Sequence, residues 1–183
     1  EFADENDGWA VGHSYTSWPV DVVMHSKDGG ETWSRVDVGI PDDLGEPDPQ
    51  YWDDVSAQLN AVALDGNGAI TIVGFAYQGG LLGGVVVQSK DGGKSWAVEL
   101  TNHEYSDVLY VTDEGKSSRK LIGDFQNRFM DSGDVEDPVI LKSTIPNSMD
   151  FSDSKHGCAV GYAGWIFLTE DGGQTWNDIN NSF

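Results

Sequence analysis

The sequence predicts an all-β protein built from one repeated four-stranded antiparallel unit, and three observations predict it. An eight-residue pattern, hydroxyl-x-Asp-Gly-Gly-x-hydroxyl-Trp, occurs at 26–33, 89–96 and 169–176. Each copy follows an apolar run with the composition of a strand, and a second apolar run ending in Gly lies further upstream. No amphipathic helical period extends over a useful length. Internal repetition of this kind indicates a repeat architecture.

The repeated pattern has the composition of a tight turn between two strands. Its Asp carboxylate can accept hydrogen bonds from the turn amides and from the following Ser or Thr, while the glycines take positive φ. Its Trp begins the outgoing strand, where the ring can be buried with its indole N–H near polar backbone. We therefore expect these residues to stabilise turns and not to catalyse. The turn residues are Ser26, Asp28, Gly30, Thr32, Trp33, Ser89, Asp91, Gly93, Ser95, Trp96, Thr169, Asp171, Gly173, Thr175 and Trp176.

Alignment on these turns predicts four copies of one unit within a single domain covering 1–183. Each unit reads as strand A ending in Asp, strand B ending in Gly, strand C, the turn, and strand D beginning at Trp. Such a meander, repeated radially, is the blade of a β-propeller. The predicted blades span about 1–39, 55–100, 105–145 and 148–180.

The third predicted blade is the degraded one. Its strand C is predicted at 139–143, and Ile145 stands where the turn Asp should be. The four blades could close into a ring or form an arc of a larger propeller. Blade four has a lead-in at 147–150, whereas blade one starts directly at Glu1. We expect the arc for that reason.

Two stretches interrupt the repeat and are the predicted partner-binding loops, because long loops on a rigid scaffold often bind. One spans 40–54, is rich in Pro and acidic residues, and ends near two aromatics. The other, interpreted as an insertion, spans 124–137. Aromatic, Met and Arg side chains are enriched at interfaces. The candidate partner-binding residues are Phe125, Arg128, Phe129, Met130, Tyr51 and Trp52.

The charge limits the classes of partner. Thirty-one acidic residues against 10 basic ones give a net charge of −21, which repels nucleic acid and anionic lipid. Such a surface suits cations, a protein partner with a basic surface, or a salty medium, and solubility alone is the simpler explanation of the charge. Cys158 is the only cysteine, so there is no internal disulfide framework, and we expect a buried, inert thiol.

The three turns match the Asp-box, or BNR repeat, of sialidases, sortilin-type receptors, xyloglucan hydrolases and photosystem II stability/assembly factors. The chain resembles the assembly-factor group and its bacterial relatives in particular, on 8–12 and 157–176. The resemblance implies an Asp-box β-propeller and a non-catalytic scaffold that mediates protein–protein interaction. The acidity departs from the basic patch expected in that group, so the particular partner is not carried over. The expected location is extracytoplasmic: secreted, periplasmic or in an organelle lumen.

The sequence gives less support for an enzyme than for a binding scaffold. Sialidases hold a substrate carboxylate with three converging arginines, but Arg35, Arg119 and Arg128 are the only arginines here and their predicted positions do not converge. The alternative is a carbohydrate-active propeller, either a hydrolase of the xyloglucanase type or a lectin. A hydrolase needs two carboxylates facing one cleft, and no spacing singles out such a pair.

No cofactor is expected, and no catalytic or metal-binding residue is assigned. The four histidines are scattered along the chain. Residues 4–8 and 65–68 superficially resemble calcium loops, which leaves calcium as a minor alternative. Both stretches fall at predicted A–B turns, where Asp, Asn and Gly are expected for turn geometry alone.

Overall fold

A computed structural model gives the fold of most of the chain. It describes residues 1–14, 20–40, 56–65, 67–78, 81–101, 105–111, 119–124, 128–131, 139–140, 146–161 and 164–179. In these ranges fifteen strands form four antiparallel sheets without an α-helix. None of the described residues forms a helix with the length and apolarity that crossing a membrane requires. The predicted all-β class, with sheets of the propeller-blade type, is confirmed.

The first sheet corresponds to predicted blade one and has three strands in sequence order. They are β1 (Gly8–Ser14), β2 (Val20–Ser26) and β3 (Ser34–Val36). Val11 pairs with Val23, which pairs in turn with Val36, so these three valines share one face. Predicted strand A is reduced here to an isolated bridge between Phe2 and Gly8.

The second sheet is the most complete blade. Its strands are β4 (Ser56–Leu64), β5 (Ile70–Gln78), β6 (Leu81–Ser89) and β7 (Ala97–Thr101), in that order. Ile72 and Val73 are neighbours on β5 and point to opposite faces, yet both are fully buried. The second blade is therefore covered on both faces, as its nearly continuous apolar runs require.

The third sheet corrects the strand assignment made from the sequence. Its strands are β8 (Tyr105–Val111), β9 (Arg119–Asp124), β10 (Arg128–Asp131) and β11 (Val139–Ile140). The expectation that strand C begins at Val139 is wrong, because β10 pairs with β9 and β11 is outermost. The stretch 124–137 is therefore not wholly an insertion. Asp124 at the end of β9 pairs with Arg128 at the start of β10, so β10 takes the place of strand C.

The fourth sheet repeats the pattern of the first with all four strands present. They are β12 (Pro146–Phe151), β13 (Gly157–Gly161), β14 (Ile166–Thr169) and β15 (Asn177–Asp178).

The chain forms two compact units, 1–104 and 105–183. The first unit has a core drawn from both of its sheets, and the described side chains of the second include a buried cluster on one face of its last sheet. The first core consists of Trp9, Val23, Val38, Leu59, Ile70, Ile72, Val85 and Val87. The second consists of Met149, Ala159 and Phe167, with Phe151, Trp165 and Trp176 packed against it.

Candidate functional site

The three Asp-boxes share one hydrogen-bonded frame that begins with a buried hydroxyl. Ser26, Ser89 and Thr169 are buried at the ends of strands. In each box this oxygen accepts the amide N–H of the second glycine at 2.8 Å. It also donates to the box carboxylate at 2.8, 2.9 and 2.9 Å respectively. Since a buried donor without a partner is costly, this hydroxyl is a central stabilising group of the turn.

The box carboxylate is occupied on both oxygens. In the second box, Oδ1 of Asp91 accepts the amide of Ser95 at 2.9 Å, and Oδ2 accepts the Ser95 hydroxyl at 2.6 Å. Hydrogen bonds to the ionised form stabilise it. The Ser95 hydroxyl and amide, in that order, lower the pKa of Asp91 to about 2. The hydroxyls of Thr32 and Thr175 lower the pKa of the other two box carboxyls in the same way.

Each box is tied to the A–B turn of its own blade. The first box glycine has positive φ in all three copies and donates its N–H to a carbonyl of that turn. The bonds are Gly29 to Asn6, Gly92 to Gly68 and Gly172 to Lys155, at 2.9, 2.9 and 2.8 Å. A side chain at Gly29 would also meet the Glu5 carbonyl, with its Cβ 2.9 Å from that oxygen. Strand ends that are far apart in the sequence are thereby joined.

The Asp that ends strand A closes this A–B turn. Oδ1 of Asp4 accepts two amides at 2.7 and 2.9 Å, and Oδ1 of Asp65 does the same at 2.7 and 2.8 Å. In the last blade, the amide of His156 is the largest of several donors that lower the pKa of Asp153 to about 2. Across the described ranges, no three His, Cys, Asp or Glu side chains converge to hold a metal ion.

We call the side of a blade that bears Trp9 its forward face and the opposite side its back face. In blade one the forward face consists of Trp9, Val11, Val23, His25 and Val36, which share one side by register. Trp9 is only 2% exposed. Its ring stacks on His25 at 4.0 Å and meets Trp96 of blade two edge-on at 5.5 Å. Asp7 accepts the Trp9 indole N–H at 3.1 Å.

Trp9 occupies space that blade two leaves open. In blades one and four, an aromatic of strand A meets the box Trp edge-on: Phe2 with Trp33 at 6.1 Å, and Phe151 with Trp176 at 5.9 Å. In blade two the aligned residue is Ala63. Trp9 fills the gap from the neighbouring blade, so close to Gly93 that a Cβ there would lie 2.5 Å from the ring.

The forward face of blade four is open. By alignment and strand register it includes Cys158, Val160, Ile166, Leu168 and Ile179, together with Asn177, which pairs with Leu168. Val160, Leu168 and Ile179 are 42%, 41% and 41% exposed. The back face of the same sheet carries the buried cluster of Met149, Ala159 and Phe167. One side of blade four is therefore packed, and the other presents apolar side chains to solvent.

A groove opens where Cys158 stands in place of a tryptophan. Its volume is about 400 Å³, and its lining consists of Asp150, Ser152, His156, Gly157, Cys158, Leu168, Thr169 and Glu170. The expectation of a buried thiol is wrong, because Cys158 is half-buried and borders this groove. Sequence reasoning missed the groove. The signal was present in the alignment of Trp9 with Cys158.

None of the predicted partner-binding residues is among the described residues that line this groove. Arg128, Phe129 and Met130 lie on β10, where the structure describes the backbone. Phe125, Tyr51 and Trp52 lie outside the described residues. The assignment of all six stays a prediction.

Comparison with known proteins agrees with the repeat and adds two structural neighbours. Residues 24–35 match the family described as BNR/Asp-box repeat, which confirms the first of the three predicted boxes. One similar structure is described as YCF48 bound to D1 peptide, with 17% identity, a TM-score of 0.38, and coverage of 98% of this chain and 80% of that one. Another is YCF48 from Cyanidioschyzon merolae, with 15% identity, a TM-score of 0.34, and coverage of 97% and 83%.

Similarities with such low sequence identities and TM-scores support no conclusion about this chain. No curated protein matches the chain significantly. The class of the protein therefore rests on its own sheets and boxes: an all-β protein of Asp-box propeller blades.

Proposed function

We propose that this chain is a non-catalytic scaffold that binds a protein partner on the forward face of blade four. The observation that supports this is the exposure of Val160, Leu168 and Ile179 along one side of a sheet whose other side is core. Contiguous apolar surface with a polar rim is typical of interaction sites. Asp150 and Glu170 supply such a rim at the groove.

The chemistry of the boxes supports a scaffold over an enzyme. A carboxylate that acts as acid, base or nucleophile must reach a substrate, and a general acid also needs a raised pKa. The box carboxylates have the opposite properties, because each accepts hydrogen bonds from its own turn and has a lowered pKa. None of the described residues that line the groove is a Trp, Tyr or Phe on whose ring a sugar could stack. The carbohydrate-active alternative therefore takes second place.

The charge suggests the character of the partner. With a net charge of −21 and acidic side chains at the groove, the chain would attract a basic protein surface and accelerate its encounter. We propose an extracytoplasmic location for this interaction. The loops 40–54 and 124–137 stay candidates for additional contacts.

Site-specific photo-cross-linking tests this proposal. A photoreactive amino acid is placed at Leu168, and a matched variant carries it at Leu100 on β7, which has similar exposure, 41% against 43%. After irradiation in an extract of the native source, we expect a discrete protein adduct from position 168 and background from position 100. Equal adducts from both positions would contradict the assignment. Retention by immobilised oligosaccharide, lost in Glu170→Gln, would favour the carbohydrate alternative.

A further inference from the structure

We infer that Asn67, which precedes Gly68, is a site of spontaneous deamidation, and that the isoaspartate formed there breaks the bond between the A–B turn of blade two and its Asp-box. The site lies in the first unit and does not depend on the forward face of blade four or on its partner. Deamidation of asparagine is least hindered when glycine follows, since glycine has no Cβ.

The structure leaves both reacting groups accessible. Asn67 and Gly68 are exposed. Within the described residues the Asn67 carboxamide makes one hydrogen bond, from Nδ2 to the carbonyl of Asp65, and at 3.5 Å that bond is weak. The Gly68 N–H, which is the attacking group, donates to none of the described residues. Neither group therefore has to give up a strong bond before the two meet.

The reaction needs only water and hydroxide. After loss of its proton to hydroxide, the backbone nitrogen of Gly68 attacks Cγ of Asn67 and a C–N bond forms. The Cγ–Nδ2 bond breaks, and Nδ2 takes a proton from water and leaves as ammonia, which restores the hydroxide. Water then opens the cyclic succinimide at either carbonyl. Opening at Cγ gives aspartate, whereas opening at the main-chain carbonyl gives isoaspartate, whose backbone runs through Cβ and Cγ.

The A–B turn of blade one contains a matched asparagine that should react slowly. Asn6 is exposed, as Asn67 is. The residue after Asn6 is Asp7, whose amide donates to Oδ1 of Asp4 at 2.9 Å. The amide that would attack is thus already bonded, and the Asp7 side chain hinders its approach. The two turns differ in the features that the reaction requires.

Isoaspartate at position 67 would separate this turn from its box. The carbonyl of Gly68 accepts the amide N–H of Gly92 at 2.9 Å. On either side of that carbonyl, the amides of Asn67 and Ala69 both donate to Oδ1 of Asp65, at 2.7 and 2.8 Å. Isoaspartate adds a backbone atom between these two amides and so moves the carbonyl between them. The bond that joins the turn to the box is then lost.

Peptide mapping of the chain during incubation at mildly alkaline pH tests the site. Mass spectrometry measures conversion at Asn67 and Asn6, and isoaspartyl methyltransferase labels the isoaspartate product. We expect Asn67 to convert about tenfold faster or more, because the amide after Asn6 must first break a hydrogen bond. Equal rates at the two positions would overturn the inference. So would an Asn67 that stays intact in the folded chain while the same peptide, released by digestion, converts.

Amide hydrogen exchange of the aged chain tests the consequence. The Gly92 amide should exchange several-fold faster when isoaspartate is present, whereas the amides of Gly29 and Gly172, which make the same bond in blades one and four, should not change. The Tm should fall by about 2–4 °C, the shift expected when a chain of this length loses one hydrogen bond. An isoaspartate form with an unchanged Gly92 amide and Tm would overturn the inference.

Two variants separate this reaction from other ageing. Asn67→Gln should keep its Tm throughout the incubation, because glutamine forms the corresponding larger ring far more slowly. Asn67→Asp has the new charge on an ordinary backbone and should melt close to the fresh wild type, since its amide can still donate to Asp65. Equal loss of Tm in Asn67→Gln and the wild type would overturn the inference. A fresh Asn67→Asp that melts as low as the isoaspartate form would also overturn it, because charge and not the backbone would be the cause.

Discussion

Blades one and four have the same strand pattern and the same box, yet the forward face is buried in blade one and exposed in blade four. In blade one, Trp9 and Val23 are buried against blade two. In blade four, Cys158 and Ile166 occupy the aligned positions, and the face is open to solvent. The box of blade four nevertheless has the same bonds as the box of blade one. The box thus holds a blade together, whereas the forward-face residues decide what the blade can pack against.

The largest effect should come from removing the side chain that joins blades one and two. Trp9→Ala empties a buried site between Gly93, Trp96 and His25 and should cost about 3–5 kcal/mol of unfolding free energy. Urea unfolding followed by circular dichroism measures it. The matched change in blade four, Cys158→Ala, should cost far less because its site is already open. Equal losses would remove the contrast between the two faces.

A second comparison isolates the close approach of Trp9 to the box of blade two. Gly93→Ala and Gly30→Ala both place a Cβ at positive φ, 81° and 89°. Only the first forces that Cβ to 2.5 Å from the Trp9 ring, against 3.4 Å from Phe2 at Gly30. We expect Gly93→Ala to be more destabilising by about 1–3 kcal/mol, from overpacking.

The control for this pair is a double-mutant cycle. In a Trp9→Ala background the additional cost at Gly93 should disappear, because the ring that clashes is absent. An additional cost that persists would assign the difference to the backbone of the turn and not to the contact between blades.

Within one box, the buried and the exposed hydroxyl should differ. Ser89→Ala leaves the Gly93 amide without its acceptor and should cost about 1–3 kcal/mol. Ser95→Ala removes an exposed donor to Asp91 and should cost less. Thermal melting of both variants measures the order, and the reverse order would contradict the role given to the buried hydroxyl.

The smallest effect should be the loss, at low pH, of the stability that the Asp91 carboxylate contributes. The folded-state pKa of Asp91 is about 2, below its ordinary value of 3.8. Its contribution to stability is therefore complete above about pH 4 and is lost as pH falls through about 2. Asp91→Asn should melt below wild type at pH 5, and the gap should narrow towards pH 2. Neutralisation of the other acids affects both proteins alike. A gap that stays constant with pH would exclude the carboxylate charge as the cause.

The assignment of strand C from the sequence was wrong in blade three, where the Asp-box is missing. Without an Asp-box, nothing local distinguished Arg128–Asp131 from a loop, and strand C was assigned to the next apolar run at Val139. The pairing of β10 with β9 shows that Arg128–Asp131 forms the strand that follows β9 in the sheet. Strand pairing is a contact between separated segments, so composition alone could not identify the partner.

By itself the sequence determined the all-β class, the repeat and the three boxes. The reason is that the bonds within a box join residues at most four positions apart, such as Gly93 and Ser89, so the local chain contains both partners. Only the tertiary structure decided which blade faces are covered. That depends on contacts such as Trp9 with Trp96, and on the size of the residue that meets each box from another blade. Such contacts leave no local sequence pattern, because the large side chain and the residues that make room for it belong to different blades.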